Sequence, residues 1–432
     1  MEELLDQAKK IAEEAEVFMV SSEATPIQFE ANRLKSIQNK RSTSIALRII
    51  RQGKIGYATT TDLNNKQNLV SNAMETAEFG MPAKFKLPST NSYPNIEIYD
   101  HATASLSLEK MIELGESIIT QVRNHTSDIM CEADVTKSII STRIINSNGG
   151  QASYQKSIFS LGIEGTLIHD TDMLFVGEDK SSCHPILEPN AITESVLQQL
   201  ELAKNKASIP SKSLPVVFTP NGVASALLSP LMTAFNGKTV IEGASPIGNK
   251  LNQQVFDEKL WLWDDSTIAY RPRSQPCDDE GIPSQRTPLI TQGNITSFLY
   301  DLQTAALANT QSTGNGGRSG GLPSPSPNAF IINPNSTTFN EMVKDIKEGL
   351  IIEQLMGANQ GNILGGDFSG NVLLGYKIEN GEIIGRIKDT MVSGNIYQVL
   401  KKITAIGNEN KWVGDLLNAP HIYCPNLSVA SK

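Results

Sequence analysis

The chain has 432 residues, 39% of them hydrophobic and 19% charged, a globular balance long enough for two or three domains. A net charge of −9 repels phosphate backbones and no Lys/Arg cluster offsets it, which argues against nucleic-acid binding. The start Met1-Glu2-Glu3 is acidic where a signal peptide is basic, and no apolar run approaches the ~18 residues that span a bilayer, so a cytoplasmic protein away from membranes is expected.

Leu4, Leu5, Ala8, Ile11, Ala12 and Ala15 recur at helical spacing. Short β-type runs follow at 17–21 and 27–30. Residues 44–50 and 55–60 flank Arg51-Gln52-Gly53-Lys54, a hairpin turn. Residues 65–79 read as a helix ending at Gly80, and 81–99, with Pro82, Pro88 and Pro94, as a long surface loop. A helix at 108–123 precedes two long β stretches, 129–146 and 153–170, joined at Asn148-Gly149-Gly150. A helix at 191–206 leads to a Pro/Ser segment, 207–215, read as a linker.

The second half opens with a strand at 216–219. Thr219-Pro220 then starts a helix, expected to reach Phe235 with a kink at Pro230. Beyond it the pattern is mostly β, with turns at Gln292-Gly293-Asn294 and Asn380-Gly381 and short helices near 301–309, 338–348 and 394–403. Helices and strands do not alternate with the βαβ rhythm of a parallel sheet. The fold class expected is α+β, in two domains: residues 1–206 and a C-terminal, antiparallel β-rich domain at 216–432.

The search for chemistry returns no complete centre. None of the five histidines stands in an HExxH pattern, and the four cysteines form no CxxC pair. His169-Asp170-Thr171-Asp172 and Cys183-His184 are the local candidates for metal ligands, and both need further ligands from elsewhere. Gly243-Ala244-Ser245-Pro246-Ile247 fails the nucleophile elbow at its last position. Thr313 to Gly321 has P-loop glycine spacing, but Leu322-Pro323 stands where Lys-Ser/Thr is required. Arg318 in that loop is suited to two-pronged binding of a carboxylate. The carboxylates Asp278, Asp279 and Glu280 before Gly281 need a nearby cation, for which Arg271, Arg273 and Arg286 are closest in sequence.

The ordered set Asp278-Asp279-Glu280-Gly281-Ile282-Pro283, Gly293-Asn294-Ile295, Ser312-Thr313-Gly314-Asn315-Gly316-Gly317-Arg318, Leu355-Met356-Gly357, Gly366-Asp367-Phe368-Ser369 and Ser393-Gly394-Asn395 resembles the C-terminal domain of the TldD/PmbA family. The resemblance extends over essentially the whole chain. It implies a cytosolic heterodimeric peptidase in which a TldD-type subunit binds zinc through His-Glu-x-x-x-His and a later Cys, while the PmbA (TldE) type lacks them. The corresponding helix here, about 220–235, contains neither His nor Glu, and Cys424 falls a few residues past the matching position. The resemblance therefore implies a PmbA-type subunit with no catalytic or metal-binding residue of its own and zinc in its partner. It further implies a TldD-like partner and an unfolded or leader-bearing peptide substrate. Asp279, Glu280, Gly281, Gly314, Gly316 and Arg318 are the expected cleft or interface residues. A homodimer is expected for the isolated chain. Two alternatives remain at this level: a non-enzymatic regulator of a protein such as DNA gyrase, a label that the family carries, and an independent metallopeptidase with unorthodox ligands.

Overall fold

In the computed structural model, residues 1–63, 67–170 and 172–431 are described. Seven strands of the first half form one sheet: β1 (Glu14–Glu30), β2 (Arg33–Ile37), β3 (Lys40–Arg51), β4 (Lys54–Thr60), β5 (Met130–Asn146), β6 (Gln151–His169) and β7 (Asp172–Ser182). The order is β4-β3-β1-β5-β6-β7, with β2 paired to β1, and every pairing is antiparallel. The β3–β4 turn has Gln52 and Gly53 at φ 50° and 69°, the left-handed pair that a two-residue hairpin requires. Met1 to Ala8 and the helix Gln67–Glu78 cover β1, β3 and β4 on one face, through Leu5, Ala8, Leu69 and Ala73. Residues 65 and 66, where the sequence starts the second of these helices, lie outside the described residues.

Two β runs expected at 17–21 and 27–30 are a single strand, β1. Residues 21–25 are too polar to announce a strand, but β5 pairs with all of them and β3 with 21–24 from the other side, which supplies the ladder. Pro26 lies between the end of the β3 pairing at Ala24 and the start of the β2 pairing at Ile27, where no amide hydrogen is required.

The helix Leu108–His125 is capped by Ser107 and buries Met111, Leu114, Ile118 and Val122 against β5 and β6. The helix Asn190–Leu202 packs beside it through Ile192, Val196 and Leu200, in a core that also takes Ile351, Tyr376 and Tyr423 from the second half.

The second half carries an eight-stranded sheet. Its strands Glu348–Met356, Lys212–Phe218, Ile422–Ser431, Thr390–Asn395 and Asp367–Glu379 close into a ring, because the last also pairs with the first. A six-stranded sheet, from Asn294–Ile295 to Lys411–Val413, lies beside it. The architecture is α+β and rich in antiparallel sheet, as the sequence leads one to expect. Much of the segment 207–215 is strand rather than bare linker: Lys206–Ala207 pairs with Glu382–Ile387, and Lys212–Phe218 joins the ring. Among the described residues, no helix is long and apolar enough to cross a membrane.

Candidate functional site

Two places concentrate polar chemistry. The first gathers the residues singled out in the sequence. β1 and β3 place Glu16 directly opposite Arg48 in the ladder, on the face turned away from the two covering helices. There Arg48 donates to Glu16 at 3.1 Å and to Glu280 at 2.5 Å, all three side chains buried. Arg318 also donates to Glu16, and its Nε reaches the Asp279 carbonyl at 3.2 Å. Asp278 ties the turn: its carboxylate accepts from the amides of Glu280, Ile282 and Gly316 at 3.0, 2.9 and 2.8 Å. Glu280 also accepts from the Leu302 amide at 2.7 Å.

Asp279, Glu280, Gly281, Gly314, Gly316 and Arg318 thus come together, in a mostly buried seam between the two halves. Gly314 and Gly316 allow the approach: a Cβ would lie 2.8 Å from the Pro283 carbonyl at the first and 2.5 Å from Glu280 Oε2 at the second. Burial pushes Asp278, Asp279 and Glu280 above the usual carboxylate range; the Glu280 charge adds to the rise at Asp278, and Arg48 opposes it at Glu280. The cations expected from the sequence go elsewhere. Arg271 stacks on Trp412, Arg286 on Trp263, and Arg273 pairs with Asp415. Arg48 was missed because its partner lies 232 residues away, although a lone arginine in the apolar run 45–50 was a legible signal.

The other local candidates separate. Cys183 is buried while His184 is exposed and paired with Asp100 at 2.5 Å. Asp172 pairs with Arg386 and Lys206; burial opposes its charge, but these two partners prevail and hold its carboxyl well below the usual range. Thr171, in the same cluster, lies outside the described residues. Ser245 donates to the Ala234 carbonyl at 2.7 Å. Cys424 is buried opposite Val216, its thiol pushed up to about 12 by burial.

The second place is a cleft of about 710 Å³ between β5–β7 and the second half, within the range of ligand sites. One wall is the helical run that starts after Thr219, whose hydroxyl caps it at Gly222. This run widens to a π-turn at Ala224–Leu228 and resumes at Ser229–Phe235. Pro230 explains the widening, since it has no amide hydrogen and its ring crowds the carbonyl four residues back. Asn221, Ala224 and Ser225 line the cleft from this run. An amide, a methyl and a hydroxyl are not a donor set that fits zinc. Asn221 donates to Glu353 at 2.8 Å, and burial holds the Glu353 carboxyl above its usual range.

The opposite wall is the edge strand β7. The Gln199 carboxamide takes both the amide and the carbonyl of Gly177 on its free side, each at 2.9 Å. Strand alternation turns the main-chain groups of Phe175 and Asp179 the same way. Among the described residues, six carboxylates line the cleft, from Glu132, Asp134, Glu164, Glu178, Asp179 and Glu353, and no Lys, Arg or His does so. Lys411 pairs with Glu178 from behind. The sequence reading missed this wall, although acidic residues alternating with apolar ones in 131–135 were the available sign.

Comparison with known proteins agrees with this architecture. Residues 211–431 match the PmbA/TldA metallopeptidase C-terminal domain, and residues 15–77 match domain 1 of the same family. An uncharacterised protein of Methanocaldococcus jannaschii is 29% identical over 98% of both chains. A protein named metalloprotease PmbA homolog, from Haemophilus influenzae, is 23% identical over 94% of this chain and 90% of its own length. In fold, the chain superposes on TldE from Thermococcus kodakarensis with a TM-score of 0.90 at 21% identity, covering 100% of both. A Thermotoga maritima protein described as a modulator of DNA gyrase gives 0.89 at 22% identity, covering 99% of both. With the family match spanning more than half of its length, the chain belongs to the PmbA/TldD metallopeptidase family.

Proposed function

We propose that this chain is the PmbA (TldE)-type subunit of a cytosolic peptidase pair and holds an extended, unfolded or leader-bearing peptide, while a TldD-like partner supplies zinc and the hydrolytic step. The observation that carries the reading is the helix at the cleft. It occupies the place where the family's resemblance puts the zinc motif, and it turns Asn221, Ala224 and Ser225 toward the cleft. Hydrolysis by zinc requires three ligands, a bound water and a general base, and these side chains provide none of the ligands. What this chain contributes instead is positioning. The outward main chain of the edge strand β7 is met at Met173, Gly177 and Ser181 by Arg386, Gln199 and Arg271, so a peptide added as a further strand would take the place of the Gln199 contact. The two-hydrogen-bond contact of Gln199 with Gly177 has the donor and acceptor pattern of such a peptide group. In isolation the chain is expected to form a homodimer.

The test is cleavage of an unfolded peptide by the purified chain, alone and mixed with a TldD-type subunit from the same genome. Activity in the mixture only supports the reading. Chelator-sensitive activity of the chain alone would sink it.

A further inference from the structure

The seam between the first sheet and the loop 278–281 buries more carboxyl groups than its cations can balance. We infer that this seam is a proton-dependent latch, in which Asp278 and Asp301 keep their protons at neutral pH and the two halves loosen as those protons leave.

Glu16, Asp278, Glu280 and Asp301 are buried, and Asp279 is half-buried. Two buried guanidiniums, from Arg48 and Arg318, answer these five carboxyls. The next cation, Lys156, acts on Asp279 but donates to the Pro272 carbonyl at 2.8 Å. Five carboxyls against three cations leave two charges unmatched. An unmatched carboxylate out of water is less stable than its protonated form, so a buried acid without a cation takes up a proton. Among the described residues, no three acids converge closely enough to hold a metal ion instead.

The bonding identifies the carriers. Each Glu16 oxygen takes a guanidinium, and Glu280 takes Arg48 and the Leu302 amide. Asp278 has three amide donors and no cation. Asp301 caps the helix Leu302–Leu307 and accepts from Thr304 alone, through its amide at 2.7 Å and its hydroxyl. Among the described residues, neither Asp278 nor Asp301 forms an ion pair. Glu280 lies close to both, two residues after Asp278 in the turn and bonded to the amide that follows Asp301. Burial pushes both carboxyls up. The Glu280 charge adds to this at Asp278, while the Thr304 bonds and the Arg48 charge oppose it at Asp301.

A carboxyl raised by folding contributes stability that is complete below its unfolded value, near 4, and lost as pH rises through its folded value. The latch therefore weakens toward alkaline pH. Its titrating neighbours act elsewhere in the range. Burial pushes Cys277, Tyr93 and Tyr154 upward, away from neutrality, and lowers Lys156 to about 8. Asp264, bonded to Asn315, is pushed up to about 6 by burial and is the control. The same two halves wall the cleft, so the bound protons set how firmly its walls are held.

The experiment uses the full-length chain. Infrared spectra at about pH 7 read the carbonyl band of protonated carboxyls. Hydrogen exchange from about pH 5.5 to about pH 7.5 reads the amides of Glu280, Ile282, Gly316 and Leu302, which donate into the seam. Both are measured for the natural chain and for Asp278→Asn, Asp301→Asn and Asp264→Asn, the new side chain having the size and neutrality of the protonated acid. The natural chain should show the band, and each seam variant a smaller one. The opening constant at the four amides should rise about tenfold per pH unit for each proton released, and less steeply in the seam variants. Absence of the band, or opening constants that are flat with pH, overturns the latch. A band lost in Asp264→Asn alone also overturns it, by placing the proton outside the seam. If a seam variant does not fold, the band and the exchange slope of the natural chain still decide.

Discussion

Arg48 and Glu280 are 232 residues apart in sequence and 2.5 Å apart in the fold, and both are buried. This pair, extended by Glu16 and Arg318, fastens the loop 278–281 of the second half to the first sheet. A buried charge is tolerated only while its partner is present. Replacing Arg48 by Met leaves Glu16 and Glu280 short of a counter-charge. We expect a loss of about 3–5 kcal/mol, measured by urea unfolding. The exposed pair Lys35–Glu30 is the control, at about 0–1 kcal/mol on removal. Equal losses at the two sites would contradict this account.

Arg318 is held differently. Its guanidinium serves two acceptors, the Glu16 carboxylate and the Asp279 carbonyl. A lysine is a point charge and cannot span both. Arg318→Lys is expected to cost about 2 kcal/mol, with cleavage by the assembled pair retained at temperatures where the variant stays folded. Loss of cleavage in a fully folded variant would point to a direct role with substrate.

His421 gives a pH signature. Burial, helped by the Lys411 charge, lowers it to about 4, and its ring lies against Phe339. The native state therefore favours the neutral ring. This contribution is complete above the unfolded value near 6.5 and is lost as pH falls through about 4. Melting temperatures of the natural chain and of His421→Leu, followed from pH 7.5 to pH 4, should show a smaller acid-induced decline in the variant. Parallel curves would exclude His421 as the cause.

Gly222 positions the cleft helix. A Cβ there would lie 2.2 Å from the Ile352 carbonyl oxygen, which is fixed in a strand of the ring. Gly222→Ala should cost about 1–3 kcal/mol and push the helix away from Ile352. Peptide binding should weaken even when the variant is fully folded, as titration at low temperature would reveal. Unchanged stability and binding would mean that the helix has more room than this contact allows.

Much of the architecture was legible because it is locally encoded. The amphipathic spacing of Met111, Leu114, Ile118 and Val122 marks its helix, and Gln52-Gly53 and Asn380-Gly381 mark their turns, since each signal lies within a few residues of the structure it produces. The ordered motifs of the second half identified the family. The unity of β1, the partners of Asp279 and Glu280, and the cleft were decided by the tertiary structure. Polar residues 21–24 are strand only because two neighbours pair with them. The carboxylates of 278–280 found Arg48 and Arg318 rather than the arginines nearest in sequence, because packing the loop on the sheet buried the acids beside a cation already fixed in the ladder. Glu132, Asp134 and Glu164 read singly as ordinary surface charge. Strand register and the arrival of the helix after Thr219 turn them into one acidic wall, and register is a property of paired strands that no single segment carries.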